Sequence, residues 1–288
     1  EVFCLNPFEQ SVEEAMEAKN EIRFECMVGN LKRWKDHPLH LKLNDDLTLT
    51  AIKGERSGQG FIISFTWTGK YTFSEVVNIA GQIPLPPYMN RDAEEEDVER
   101  YQTVYASNNG SVAAPTAGLH FTPAVLQELE QLGHKRLELT LHVGAGTFKP
   151  LGDGAISAHE MHAEEIIISR QWLRNYLKHE GPKFAVGTTS LRTLESCHWI
   201  GVKLITTDRF EKLGQFDAYQ LDQSITTAQA YRALLDHFES EDISSSALQT
   251  QLMIRPGYSM KSTQGFITNF RQPGSTLLLL VSAGIGES

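Results

Sequence analysis

Four stretches of the chain carry hydroxyls, imidazoles, carboxylates and glycines at spacings suited to proton transfer and anion binding. In residues 111–121, SVAAPTAGLHF, Pro115 fixes the backbone and Gly118 frees it. Thr116 adds a hydroxyl, and His120 adds a base or a hydrogen-bond donor. An ordered loop whose histidine caps its own backbone is the plainer reading of the same residues. In residues 159–164, HEMHAE, Glu160 and His162 could serve general acid–base work. His159 and His162 could instead begin a metal site, although the order is not H-E-x-x-H and no distant partner ligand is evident.

The other two stretches follow runs of strand character. Residues 141–148, LHVGAGTF, place Gly144, Gly146 and Thr147 where a ligand could approach the main chain. The third glycine and following helix of a dinucleotide fingerprint are missing, so a nicotinamide site is rejected. His142 points away from the face of Leu141 and Val143, toward a cleft or toward solvent. Residues 186–192, VGTTSLR, join a strand to a helix start, and Gly187, Thr188, Thr189 and Ser190 make an anion pocket there. The Walker lysine is absent. A carboxylate, a single phosphate or a ribose hydroxyl therefore fits better than a nucleoside triphosphate, with Arg192 available for pairing. Ser190 as a plain helix cap is the structural alternative.

The elements that must position these residues change character near residue 84. Before it, β-like runs at 22–28, 39–43, 47–52 and 61–67 alternate with polar turns, the last two flanking a glycine-rich turn at 54–60. That pattern predicts a small antiparallel barrel or sandwich over 1–83. Pro84, Pro86 and Pro87 form a stiff connector, and 84–288 alternates strands and helices as an α/β layer. Thr122 caps a helix that begins at Pro123, keeps Val125, Leu126, Leu129 and Leu132 on one spacing, and closes at Gly133. A strand at 137–143, a helix at 169–179, a strand at 183–186 and a helix from 191 to about 198 follow. In open α/β sheets, ligands sit at the carboxyl ends of such strands.

The 288 residues are 41% hydrophobic, enough for a substantial core. No apolar run approaches the roughly 20 residues of a membrane span. Cys4, Cys26 and Cys197 are few and scattered, which predicts a reducing compartment, hence a soluble cytoplasmic protein, and no zinc motif. A net charge of −10 argues against broad nucleic-acid binding but leaves room for a local footprint. Lys32, Arg33 and Lys35 around Trp34 could hold a phosphate and stack a base, or be a solvated loop with a packed tryptophan.

Taken in order, SVAAPTAGLHF, LHVGAGTF, EMHAE, VGTTSLRTLES and ITNFRQPGSTLLLLVSA resemble the S-adenosylmethionine:tRNA ribosyltransferase-isomerases of queuosine biosynthesis. Order and spacing match from about 84 to 283, and the first part fits more loosely. The resemblance implies a β-barrel domain joined to a mixed or mostly parallel α/β domain. It implies transfer of the ribosyl part of S-adenosylmethionine to 7-aminomethyl-7-deazaguanine at the tRNA wobble position, giving epoxyqueuosine, adenine and methionine.

Such chemistry needs a base at the ribose carbon beside the sulfonium, an acid for departing adenine, and a pocket for the amino-acid end. The proton transfers fall to His120, Glu160 and His162. Thr188, Thr189, Ser190 and Arg192 hold the methionine carboxylate or a tRNA phosphate. Pro115, Thr116, Gly118, His142, Gly144, Gly146, Thr147 and Gly187 complete the substrate contacts. S-adenosylmethionine is the co-substrate, the tRNA anticodon stem-loop the partner, a monomer the expected state, and no metal or membrane is required. The aminomethyl group is itself the nucleophile, so no serine or cysteine triad is needed. Arg271 stands where the family usually has histidine and Gly284 where it has phenylalanine. Family segments before and after this stretch are expected to be missing. A non-catalytic RNA- or S-adenosylmethionine-binding relative and a metal-dependent hydrolase using His159 and His162 are the competing expectations.

Overall fold

Alternation of apolar and charged residues builds the first sheet. In β2 (Glu21–Val28), Ile22, Phe24 and Cys26 are buried while Glu21 and Arg23 are exposed. The computed structural model describes residues 2–35, 37–57, 60–81, 91, 94, 96–107, 114–142, 161, 163–269 and 276–286. The chain divides into two compact units. The first is built on Glu1–Tyr101 and takes in Ser107, Ala114 and His142, and the second is built on Gln102–Ala106, Pro115–Leu141 and the described part of Lys149–Ser288. The expected boundary at 83 and the proline connector lie outside the described residues.

The first unit holds β1 (Val2–Pro7), β2, β3 (Leu39–Lys42), β4 (Thr48–Ser57) and β5 (Gly60–Trp67), all antiparallel, in the order β1-β2-β5-β4-β3. Among the described residues this sheet is open, with β1 and β3 at its edges, and not the barrel expected. Closure would need those edges to pair, and β3 is four residues long and exposed throughout. The expected turn at 54–60 is also shorter. β4 runs on through Gly54 to Ser57, with a shift of register between Lys53 and Arg56.

Two helices with no counterpart among the expected elements flank the sheet: α1 (Val12–Glu17) and α2 (Phe73–Ala80), each begun by a capping box. From α2, Phe73 places its ring centroid 5.1 Å from Phe24, 6.0 Å from Phe65 and 5.6 Å from Trp67. Trp34 is buried in this core and donates from Nε1 to the His37 carbonyl, so it is a packed tryptophan rather than a base platform. Cys4 and Cys26 face each other across β1 and β2 as free thiols, Sγ to Sγ 3.9 Å. A short helix, α3 (Asp97–Arg100), closes the described part of this unit's main run.

The second unit mixes short sheets with helices. α4 (Pro123–Gln131) starts on the Thr122 cap, whose hydroxyl accepts from the Val125 amide at 3.2 Å, and Gly133 follows with φ 83°. The strand expected at 137–143 narrows among the described residues to β6 (Thr140–His142), because Leu137 is exposed and the preceding residues are charged. β6, β7 (Glu164–Ser169) and β9 (Ser245–Thr250) form one sheet, with β7 and β9 antiparallel. β8 (Phe184–Val186) and β10 (Gly265–Ile267) form a separate parallel pair.

Helices α5 (Arg170–Lys178), α6 (Thr188–Thr207), α7 (Thr227–Ser240) and α8 (Thr276–Ile285) supply most of the remaining core. Stacked rings join α5 to α7, with Tyr176 and Tyr231 4.0 Å apart. Gly201 lets α6 approach α7 at backbone contact, since a Cβ there would fall within the Ala230 carbonyl group. Among the described residues, no helix is long and apolar enough to cross a membrane.

Candidate active site

Parallel pairing brings the carboxyl ends of β8 and β10 side by side. Val186 pairs with Ile267, and the Gly187 amide extends the ladder by donating to the Ile267 carbonyl at 2.8 Å. Gly187 then takes φ 99°, a left-handed conformation that glycine reaches without steric cost, and caps α6. The helix therefore begins at Thr188, three residues before the expected start, and Ser190 lies within its first turn instead of at the cap. First-turn amides have no intrahelical acceptor, and the helix dipole adds partial positive charge, so this end suits an anion.

A 3-10 helix at Thr116–His120 lies against this helix start. A Cβ on Gly187 would stand 4.0 Å from the Ala117 Cβ and 3.7 Å from the Ser190 hydroxyl. Asn269, just beyond β10, donates from Nδ2 to the Thr116 carbonyl at 3.3 Å. Gly118 has no room for a side chain, because its Cβ would meet the Tyr105 hydroxyl and come within 2.6 Å of Thr103 Cγ2. Three of the sequence motifs thus converge here: residues 115–120, 187–190 and 267–269.

Within this cluster Thr188 is buried, Pro115, Thr116, Thr189 and Ser190 are partly exposed, and His120 is exposed. Arg192 turns inward and donates from Nη2 to Glu164 of β7, both side chains being buried, so its anionic partner here is a carboxylate of the unit itself. His142 is buried at the end of β6. Gly144, Gly146, Thr147, His159, Glu160, His162 and Arg271 lie outside the described residues.

Sequence reasoning missed the groups that hold these elements in place. Asn269 stood inside a quoted motif, but nothing in one sequence links it to residue 116. Glu195, on α6, is fully buried and accepts from the Tyr258 hydroxyl at 2.6 Å, the Ser262 amide at 2.8 Å and the Lys261 amide at 3.0 Å. Trp199 Nε1 donates to the same Tyr258 hydroxyl at 2.7 Å. Burial pushes the Glu195 carboxyl above its usual range, against the pull of these donors. The network pins the segment that leads into β10 against α6. An acid amid the apolar positions of LRTLES was its one visible signal.

Among the described residues, no three His, Cys, Asp or Glu side chains converge as a metal site. Among solved structures, the S-adenosylmethionine tRNA ribosyltransferase of Thermotoga maritima is 21% identical over 91% of this chain and 59% of its own, with a TM-score of 0.33. The chain thus spans about 59% of that protein's length. A family model described as queuosine biosynthesis protein matches residues 6–288. With nearly its whole length matched, the chain belongs to the queuosine biosynthesis protein family.

Proposed function

We propose that the chain carries the ribosyl transfer and isomerisation implied by its motifs: S-adenosylmethionine and a tRNA bearing 7-aminomethyl-7-deazaguanine give the epoxyqueuosine nucleotide, adenine and methionine. Family membership supports the pathway, and one juxtaposition carries the site. The Thr116–His120 turn lies beside Gly187 and the start of α6, tied there by Asn269.

In this reading the α6 start, with Thr188, Thr189 and Ser190, takes the methionine carboxylate or a tRNA phosphate through amides and hydroxyls. Arg192, its charge met by Glu164, supports this end of α6 from beneath. His120 takes or returns a proton from the neighbouring turn, together with Glu160 and His162. Pro115, Thr116, Gly118 and Gly187 shape the pocket, and His142, Gly144, Gly146 and Thr147 are further substrate contacts in this reading. The RNA partner is the anticodon stem-loop, and the protein works as a cytoplasmic monomer.

The test is incubation with S-adenosylmethionine and an anticodon stem-loop carrying the deazaguanine base, followed by chromatography for adenine. Adenine and methionine in equal amounts are expected. Binding of both substrates without adenine would instead identify a non-catalytic relative.

A further inference from the structure

Opposite residues of an antiparallel pair hold their Cα atoms about 4.5–5.5 Å apart, within the roughly 4.4–6.8 Å that a disulfide spans. Cys4 of β1 and Cys26 of β2 are such partners, 22 positions apart in sequence. Their sulfurs stand 3.9 Å apart, and both are free thiols. A disulfide needs about 2.05 Å, so closure asks for side-chain rotation and no exchange of strand partners.

The two thiols are placed unequally. Cys26 is fully buried in the core of the first unit, whereas Cys4 is partly exposed on the edge strand β1. The Cys4 side chain first, and burial second, hold the Cys26 thiol above its ordinary range. An oxidant from solvent therefore meets Cys4 first, and Cys26 is the neighbour that resolves the product. Cys197 lies fully buried in the other core, where burial raises its thiol to about 12, and so serves as an inert reference.

We propose that Cys4 and Cys26 form a redox site that a hydroperoxide closes to a disulfide and a small thiol reopens. With hydrogen peroxide, the Cys4 sulfur takes one peroxide oxygen. The O–O bond breaks, leaving a sulfenic acid on Cys4 and one water. The Cys26 sulfur then attacks the Cys4 sulfur, the S–O bond breaks, and hydroxide leaves with the Cys26 proton as a second water. The thiols lose two electrons, and the peroxide gains them. Two equivalents of a small thiol reverse the step and become a disulfide themselves. Among the described residues β1 pairs only with β2, and its register slips between Cys4 and Asn6. The disulfide fastens this edge strand at the slip. The site is independent of the ribosyl transfer proposed above.

The experiment treats the full chain with hydrogen peroxide, denatures it in iodoacetamide and counts alkylated cysteines by mass spectrometry. The count should fall from three to one and return to three after dithiothreitol. Peptide mapping should join the segments that carry Cys4 and Cys26, and Tm should rise by about 5–10 °C in the oxidised chain. Cys4→Ser should keep both remaining thiols through the same treatment. Cys26→Ala should stop at a sulfenic acid on Cys4, which dimedone labels. The parent and Cys4→Ser decide the matter by themselves, because Cys4 is the partly exposed member of the pair. Three alkylated cysteines after peroxide, a disulfide between two chains, or a disulfide still formed in Cys4→Ser overturns the site. A Tm that fails to rise in the oxidised chain overturns the fastening of β1.

Discussion

The amide of Asn269 donates to the carbonyl of Thr116 at 3.3 Å, across 153 positions of sequence. This bond fastens a turn that carries His120 to the end of β10, whose Ile267 carbonyl accepts from the Gly187 amide. Asn269→Asp would set a carboxylate oxygen against that carbonyl while keeping the side chain's size. Misplacing a reacting group by about 1 Å costs on the order of 100-fold in rate. Turnover should therefore fall 10- to 100-fold at saturating substrate, while the urea midpoint moves little. A large loss of stability with normal turnover of the folded fraction would contradict this role.

Arg192 and Glu164 form an ion pair inside the second unit, with side-chain exposures of 5% and 1%. Removing one partner leaves the other charge buried, so Arg192→Met should cost about 3–5 kcal/mol in urea denaturation. The double variant Arg192→Met, Glu164→Leu should recover most of that. Equal costs in the single and double variants would show that the pair is not coupled.

His198 is fully buried beside Trp199, ring centroids 4.6 Å apart, and neither ring nitrogen has a hydrogen-bond partner among the described residues. Burial first, and the nearby Lys261 charge second, lower its pKa from 6.5 to about 4. The unfolded chain then binds the proton more readily, so stability is full above pH 6.5 and declines as pH falls toward 4. The whole window is worth about 3 kcal/mol. His198→Phe should flatten this part of the profile, as read from urea midpoints at pH 7 and pH 5. An unchanged slope would assign it to other groups.

Gly201 permits the contact between α6 and α7, and its Cβ would stand 2.9 Å from Ala230 Cα, with the carbonyl nearer still. Gly201→Ala should therefore lower stability by about 1–3 kcal/mol in thermal unfolding, despite alanine's better helix propensity. A rise in Tm would show that the helices part without cost.

Much of the element order was legible because local rules act within a few residues. Thr122 and Pro123 begin α4 as capping predicts, and Ser169 caps α5. The strands at 22–28 and 61–67 follow from alternation alone. Less legible was whatever depends on distant partners. Sheet closure is a question about β1 and β3, which no local pattern encodes. The start of α6 at Thr188 follows from Gly187, whose positive φ and bond to Ile267 are set by β10. The destination of Arg192 depends on Glu164, 28 positions earlier, and so could not be read from VGTTSLR.

The central claim is that this chain moves a ribosyl unit from S-adenosylmethionine to a base in RNA. It is tested most directly by digesting the anticodon stem-loop after incubation and weighing the modified nucleoside by mass spectrometry. The account predicts a nucleoside heavier by one epoxide-bearing ribosyl-derived unit, formed only when S-adenosylmethionine and the chain are both present. A nucleoside of unchanged mass, under conditions where both substrates bind, would contradict it.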